Sequence, residues 1–270
     1  MMQQMTVISK KQVSHQAEWL DAWLEIERRV PKQALDAKIA KTIREVRSVT
    51  RGRRVAFAWS GGKDSIALEF VMRHANIKEC VIGITNLEYP EFLRFVTDIM
   101  PPCLQVINAG LDLGWLSNNL HMLFPKDSKT ASKWFKLIQH NAQDSYFIEH
   151  KLDFIILGRR KSDGNHIPYN HGLPIYRNKR GFVRYSPLAE WTHEDVLAII
   201  HYYGLPMPPI YSWPRGYQCG THSWAARQWT RNDMHGMHEV YTIDPGIVLN
   251  AAKLIPQARQ YVDKYVLKGG

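Results

Sequence analysis

Short apolar runs separated by amphipathic stretches set the pattern of this chain. Residues 55–59, Val-Ala-Phe-Ala-Trp, are apolar on both faces and too few for a helix, which predicts a buried parallel strand. Ile66, Leu68, Phe70 and Val71 follow in a run that starts at Asp64 and reads as a helix packed back on that strand. Residues 79–85, 103–107 and 153–157 predict further strands, and Tyr89 and Pro90 open a helix with proline in its first turn. Residues 111–122 and 133–150 read as helices, with Trp115, Leu116, Leu120, Leu123, Trp134, Leu137 and Ile138 as their apolar contacts. Residues 174–187 predict a hairpin turning around 178–181, and Thr192-His-Glu-Asp195 has the form of a capping box opening a helix over 194–203. Strands alternating with helices predict an α/β fold: a parallel sheet with right-handed crossovers and ligands at the carboxyl ends of the strands.

Ahead of the first strand, residues 1–14 are polar and expected to fray. Trp19, Trp23, Ile26 and Val30 recur at helical spacing over 15–30, and Leu35, Ile39, Ile43 and Val46 do so over 32–49, with Pro31 between the two helices.

Charge changes the picture more than length does. The 270 residues carry a formal charge of +10, and residues 1–54 hold twelve Lys and Arg against six Asp and Glu. A nucleotide pocket alone does not require that excess. Lys32, Lys38, Lys41, Arg44 and Arg47 crowd the polar side of the second helix, and two readings stay open: a solvated face, or a surface within 28–54 for nucleic acid or an acidic protein. Arg51-Gly-Arg-Arg54 leads into the first strand, where its guanidiniums could equally reach a nucleotide phosphate. No apolar run approaches the roughly 20 residues that span a bilayer, and nothing resembles a signal peptide. The expectation is a soluble, cytoplasmic protein with no membrane partner. Cys80, Cys103 and Cys219 lie far apart with no Cys-x-x-Cys pair, which indicates neither a disulfide framework nor a cysteine metal site.

Ser60-Gly-Gly-Lys-Asp-Ser65, between the first strand and its helix, is the chemical centre of the sequence. Small residues at Ser60, Gly61 and Gly62 let backbone N–H groups approach an oxyanion, and the helix adds unpaired N–H groups and the positive end of its dipole. Lys63 supplies charge and Ser60 and Ser65 supply hydroxyls, while Asp64 is either a helix cap or the carboxylate nearest the phosphates. The spacing is that of neither Gly-x-x-x-x-Gly-Lys-Ser/Thr nor Gly-x-Gly-x-x-Gly. Gly158-Arg159-Arg160 ends the strand at 153–157 and aims two guanidiniums at the same site.

Ser60-Gly-Gly-Lys-Asp-Ser65 resembles the PP-loop of the ATP pyrophosphatase superfamily, in its branch of phosphoadenosine-phosphosulfate (PAPS) reductases and ATP sulfurylase small subunits. The resemblance runs over about 55–229. Gly158-Arg-Arg-Lys-Ser-Asp-Gly164 is similar to the family's Gly-x-Arg-Arg-x-Glu-Ser turn, whose arginines contact phosphate or sulfate, with Asp163 and Gly164 departing from it and Arg177 or Arg180 left to replace a downstream arginine. Glu88-Tyr-Pro-Glu-Phe92 matches the family's acid and Phe-Pro-Glu turn loosely. Arg184-Tyr-Ser-Pro-Leu-Ala-Glu-Trp191 and Gly204-Leu-Pro-Met-Pro-Pro-Ile-Tyr211 resemble a segment that is mostly architecture, in which Pro187, Trp191, Val196 and Leu205 would pack and Arg184 is the candidate contact. Gly216–Trp229 is similar to a segment that carries Cys-x-x-Cys in iron–sulfur members; only Cys219 is present, so no cluster is expected. His222 there is either a phosphate or water ligand or a structural histidine.

The resemblance implies a PP-loop domain over 51–230, an N-terminal helical extension over 1–50 and a C-terminal tail over 231–270. It implies an adenine nucleotide, ATP or PAPS, with Mg2+, and an enzyme that cleaves ATP between its α- and β-phosphates to adenylate a substrate in sulfur metabolism or nucleic-acid modification. Lys63, Arg159 and Arg160 would act in catalysis, and Ser60, Gly61, Gly62, Lys63, Asp64, Ser65, Arg184 and His222 would bind the nucleotide. Reduction of a sulfonucleotide is the alternative, but reductases carry a nucleophilic cysteine in a C-terminal Glu-Cys-Gly-Leu-His motif. Here His235-Gly-Met-His-Glu239 has Met237 in place of the thiol, and a thioether cannot attack sulfur. A third reading is a nucleotide-sensing or nucleic-acid-binding protein without turnover. Sulfur transfer, if it occurs, would need a carrier on a separate partner.

Overall fold

β1 (Val55–Ala58) lies inside a six-stranded sheet with β2 (Cys80–Ile84) on one side and β4 (Phe154–Ile156) on the other, both parallel to it. β3 (Leu104–Asn108), β5 (Ile175–Arg177) and β6 (Val183–Tyr185) complete the order β3-β2-β1-β4-β6-β5, in which only the β5–β6 pair is antiparallel. The computed structural model describes residues 16–164 and 166–267, with side chains from residue 20 onward. The expectations for residues 1–14 and for the Trp19 side chain lie outside them.

Successive residues of a strand face opposite sides, and both sides here are apolar because both are covered. Phe57, Ile82 and Ile156 point into the larger core with α4 (Lys63–His74) and α9 (His193–Tyr202). Ala56, Val81 and Ile155 point the other way, onto Tyr146 of α8 (Asn141–Glu149). A Cβ on Gly83 would stand 2.4 Å from the Ile138 carbonyl oxygen, so glycine lets the helix before α8 sit directly on β2.

The flanking segments share the central core. Ala22, Ile26, Leu35, Ile39 and Val46, from α1 (Gln16–Leu24), α2 (Ile26–Arg29) and α3 (Lys32–Thr50), pack with α9. Polar links fasten them: Trp191 Nε1 donates to Thr42 Oγ1 at 3.2 Å, and Lys38 Nζ to Asp195 Oδ2 at 2.5 Å. The segment beyond residue 231 is three helices, α11 (Asp233–Ile243), α12 (Pro245–Ala251) and α13 (Pro256–Tyr265), once α5 (Pro90–Ile99), α6 (Leu113–Ser117), α7 (Ser128–Phe135) and α10 (Gly216–Cys219) are counted. Met237, Val240, Val248, Ile255 and Tyr261 belong to the same apolar cluster as β1.

Several boundaries differ from the sequence pattern for local reasons. The helix expected over 111–122 stops at Ser117, because Asn118 and Asn119 turn their side-chain amides back to the carbonyls of Gly114 (3.0 Å) and Trp115 (2.9 Å). The helix expected over 133–150 starts at Ser128 behind the Asp127 cap and contains a π-helical turn at Lys136–His140. The single helix expected over 15–30 is broken at Glu25, and the hairpin turns at 178–181 as expected. Pro187, Trp191 and Val196 are buried, and Leu205 is half-buried. Among the described residues no helix is long and apolar enough to cross a membrane.

Candidate functional site

A cavity of about 510 Å³ opens at the carboxyl ends of β1, β2, β4 and β6, where the strand order reverses around β1. Ser60, Gly62, Asp64 and Ser65 form one wall, Gly158, Arg159 and Arg184 another, and Gly220, Thr221, His222 and Ser223 a third. The remaining side is the π-helical turn with Gln139, His140 and Gln143.

The loop between β1 and α4 is shaped by its glycines. Gly61 has φ +65°, and a Cβ there would meet the Phe92 ring at 3.1 Å and Val96 at 3.2 Å, so any other residue would be strained in backbone and would have to push back side chains of α5. Ser65 Oγ donates to the Gly62 carbonyl (2.9 Å), Ser60 Oγ to Ser65 Oγ (3.3 Å), and the Lys63 N–H to the Tyr211 hydroxyl (3.1 Å). The loop is therefore held from both sides.

The charges expected to line the cavity divide into two groups. Lys63 and Arg160 lie beneath the loop and are not part of the cavity wall. Lys63 Nζ donates to both carboxylate oxygens of Asp64 at 2.9 and 3.0 Å and stands over the rings of Tyr211 and Tyr217. Arg160, 0 % exposed, reaches Asp64 Oδ1 (2.8 Å), Asp163 Oδ1 (3.0 Å) and the Thr192 carbonyl (2.7 Å). Arg160 Nη2 also donates to His193 Nδ1 at 2.9 Å, and Tyr217 shares that nitrogen at 2.9 Å. A guanidinium only donates, so Nδ1 is the acceptor there, and the other ring nitrogen, Nε2, faces Asp163 Oδ1 at 3.4 Å. Burial alone would raise the Asp64 carboxyl, but Arg160 and Lys63 outweigh it and hold that group well below the usual carboxylate range. Burial pushes the Lys63 ammonium down to about 8 against the pull of Asp64.

Arg159 and Arg184 face the cavity. Arg159 Nη1 donates to the Tyr176 hydroxyl at 2.8 Å; Arg184, 5 % exposed, has Asp144 Oδ1 3.8 Å from Nη2 and an Nε with no hydrogen-bond partner among the described residues. Asp144 also pairs with Arg180, whereas Arg177 is bonded to the Gly181 carbonyl inside the hairpin. Asp163, which departs from the family pattern, braces Arg160. His222 lines the cavity edge-on to Phe135, with ring centroids 4.8 Å apart.

Arg51, Arg53 and Arg54 are corrected by the topology. They stand before β1, at the amino ends of the strands, in a separate cleft with Arg47, Lys78 and His150, and β1 separates them from the loop that follows its carboxyl end. They cannot reach a phosphate held there.

Glu88, Tyr211, His140, Gln143 and His193 also reach the site or its supports. The loose Glu88-Tyr-Pro-Glu-Phe92 match signalled the first, and Tyr211 ended a segment read as architecture. Nothing in the sequence signalled the others, because their helices are amphipathic in the ordinary way.

The phosphoadenosine phosphosulfate reductase domain model matches residues 54–218, more than half of the chain. The chain belongs to this family. The PAPS reductase family domain thus covers the loop, the Gly-Arg-Arg turn, Arg184 and Tyr211, and ends just before His222. Within it lie all six strands of the mostly parallel sheet and the helices between them. Solved structures of similar fold include PAPS reductase from Candida auris in a phosphate complex (15% identity, 68% of this chain and 92% of that one, TM-score 0.46). NMN synthetase from Francisella tularensis is another (12% identity, 87% and 95%, TM-score 0.47), as is the U34-tRNA thiolase NcsA from Methanococcus maripaludis with its [4Fe-4S] cluster (16% identity, 86% and 81%, TM-score 0.44). A comparison with curated protein sequences found no match.

Proposed function

We propose that this PAPS reductase family member binds ATP at the Ser60–Ser65 loop and transfers its adenylyl group to an acceptor. One observation carries the reading: the loop, at the carboxyl end of β1, opens into a cavity whose far wall presents Arg159 and Arg184. Pyrophosphate would lie against the loop, with the α-phosphate turned toward the two guanidiniums. An acceptor nucleophile then attacks the α-phosphorus, a bond forms there, the bond to the bridging oxygen breaks, and its electron pair leaves with pyrophosphate. Lys63 and Arg160 act from behind the loop: their charge favours the leaving anion, and their pairing with Asp64 keeps the loop rigid.

Among the described residues no group of three His, Cys, Asp or Glu is arranged to hold a metal. Asp64, the carboxylate on the loop wall of the cavity, would hold a magnesium ion carried mainly by phosphate oxygens, and the ion would supply charge stabilisation on the leaving group.

Family membership favours a second reading, reduction of a sulfonucleotide. That chemistry needs a thiolate at the sulfur. Cys219 is buried, its thiol turned to the Gln228 carbonyl 3.7 Å away, and no cysteine follows it. Incubating purified protein with labelled ATP or with PAPS and thioredoxin separates the two. Pyrophosphate release supports adenylylation; sulfite release without pyrophosphate sinks it.

A further inference from the structure

We infer that the acceptor is a polynucleotide, drawn to the cavity along a basic rim formed by Lys129, Lys133 and Lys136 on one side and Arg159, Arg180 and Arg184 on the other. The inference deepens the adenylylation reading and rests on it.

The three lysines recur at helical spacing through α7 and the π-helical turn, so they share one face, and all are exposed. Ser132, Phe135 and Gln139, on the adjoining face of the same rod, line the cavity. His140 ends the lysine row and lines the cavity together with Arg159 and Arg184; burial, and then the charges of Arg184, Arg180 and Arg159, push its imidazole down to about 4. The rim is thus continuous from helix to hairpin.

Compensation separates this surface from α3. On α3, Lys32 pairs with Asp36, Lys41 with Glu45, and Lys38 with Asp195 across to α9. Residues 128–140 and 174–184, by contrast, contain no Asp or Glu. Asp127 lies against Lys129 at the start of the row and Asp144 is shared by Arg180 and Arg184, while Lys133 and Lys136 form no ion pair among the described residues. The excess of positive over negative charge that remains along this path is what a phosphate backbone neutralises with counterion release.

A folded acidic protein could meet the rim but could not reach the α-phosphate of an ATP held inside the cavity; a single unstacked nucleotide entering at its mouth could. The inner wall is also equipped for more than charge. Arg184 Nε is a donor and Gln143 Oε1 an acceptor, both buried without a hydrogen-bond partner among the described residues and both on residues lining the cavity. Such a pair can satisfy the edge of a base or a ribose. Phe135 and His222 add ring surface beside them.

The test is fluorescence anisotropy with a roughly 20-nucleotide mixed-sequence single strand, as RNA and as DNA, at several salt concentrations. Wild type is compared with the Lys129→Glu, Lys133→Glu, Lys136→Glu triple variant and with Lys41→Glu, Arg44→Glu. The rim variant should bind at least about tenfold more weakly and lose about 2 from its log–log salt slope, at about 0.7 per phosphate contact. The α3 variant should match wild type, and ATP affinity by calorimetry should be unchanged in all three proteins. The RNA and DNA arms identify which polynucleotide is used. No binding of either strand by wild type, equal binding of polyglutamate of matched charge, or loss through the α3 variant alone would each overturn the inference while ATP binding stands. Loss of ATP binding by wild type would instead remove the reading beneath it.

Discussion

Arg160 Nη2 lies 2.8 Å from Asp64 Oδ1, beneath the phosphate loop, while its neighbour Arg159 faces the cavity. Adjacent guanidiniums in one turn thus differ in setting, one bracing the loop and the other lining the cavity while bonded to the Tyr176 hydroxyl. Removing Arg160 leaves Asp64 and Asp163 facing each other with half their compensation gone. Arg160→Ala should therefore destabilise the fold by about 3–5 kcal/mol, the usual result of breaking a buried pair. Arg159→Ala should leave the melting temperature nearly unchanged and weaken ATP by roughly tenfold or more, the worth of a charged hydrogen bond. Thermal melts and calorimetry on both variants check the split, and equal destabilisation by the two would contradict it.

Lys63 sits near 8 because burial disfavours its ammonium. An anion against the loop favours the charged form, so ATP binding at pH 8 should take up as much as about half a proton. Calorimetry in buffers of different ionisation enthalpy measures that number directly. Lys63→Met should abolish the uptake, and a wild-type value of zero would refute the coupling.

Burial raises Glu88 to about 7, opposed by hydrogen bonds from the Thr85 N–H (3.0 Å) and hydroxyl (2.9 Å). A carboxyl whose folded pKa is raised contributes stability that is complete below its unfolded pKa and disappears as pH rises through about 7. Ionisation also puts a negative charge beside the nucleotide. From pH 6 to 8, wild type should lose roughly three- to tenfold in ATP affinity relative to Glu88→Gln, a ratio that cancels the titration of ATP itself. Parallel pH profiles for the two proteins would exclude Glu88 as the cause.

Gly61 and Gly52 share a positive φ, +65° and +68°, but only Gly61 is crowded. Alanine at 52 should cost about 1 kcal/mol of backbone strain and leave ATP binding alone. Alanine at 61 must in addition displace the Phe92 ring 3.1 Å away, and should weaken ATP binding by more than about tenfold. Urea unfolding and calorimetry on the pair distinguish strain from crowding.

Glu239 of α11 accepts from Arg215 Nε and Nη2 (2.5 and 2.6 Å) and from Arg227 Nε (2.7 Å), which bracket the wall containing His222. Glu239→Gln should destabilise the protein by about 3 kcal/mol and loosen that wall. Faster amide exchange across residues 216–229 is the expected signature; unchanged exchange would show that the wall stands without its carboxylate.

The loop, the parallel sheet and the hairpin were legible because each is written in local residues: Gly61 and Gly62 between an apolar run and a helix, Pro90 at a helix start, Asn178–Gly181 at a turn. What the cavity contains was not legible, since it depends on contacts between distant segments. Arg160 is buried only because Asp64 and His193 converge on it from elsewhere in the chain. Residues 231–270 share no family motif, yet Met237, Val240 and Tyr261 have ordinary helical spacing and reach the common core. Motif resemblance faded there; hydrophobic periodicity did not. The π-helical turn was not legible because five residues are too few to set a period of their own inside a longer helical run.

The bond from Arg215 and Arg227 to Glu239 also sets an order on biosynthesis. A nascent chain emerging from the ribosome exposes the glycine loop, both arginine turns and the His222 wall before the carboxylate that neutralises that wall has left the exit tunnel. The wall is therefore neutralised only once α11 has followed it out, and a product terminated between Trp229 and Glu239 carries every recognisable motif and an unbalanced site.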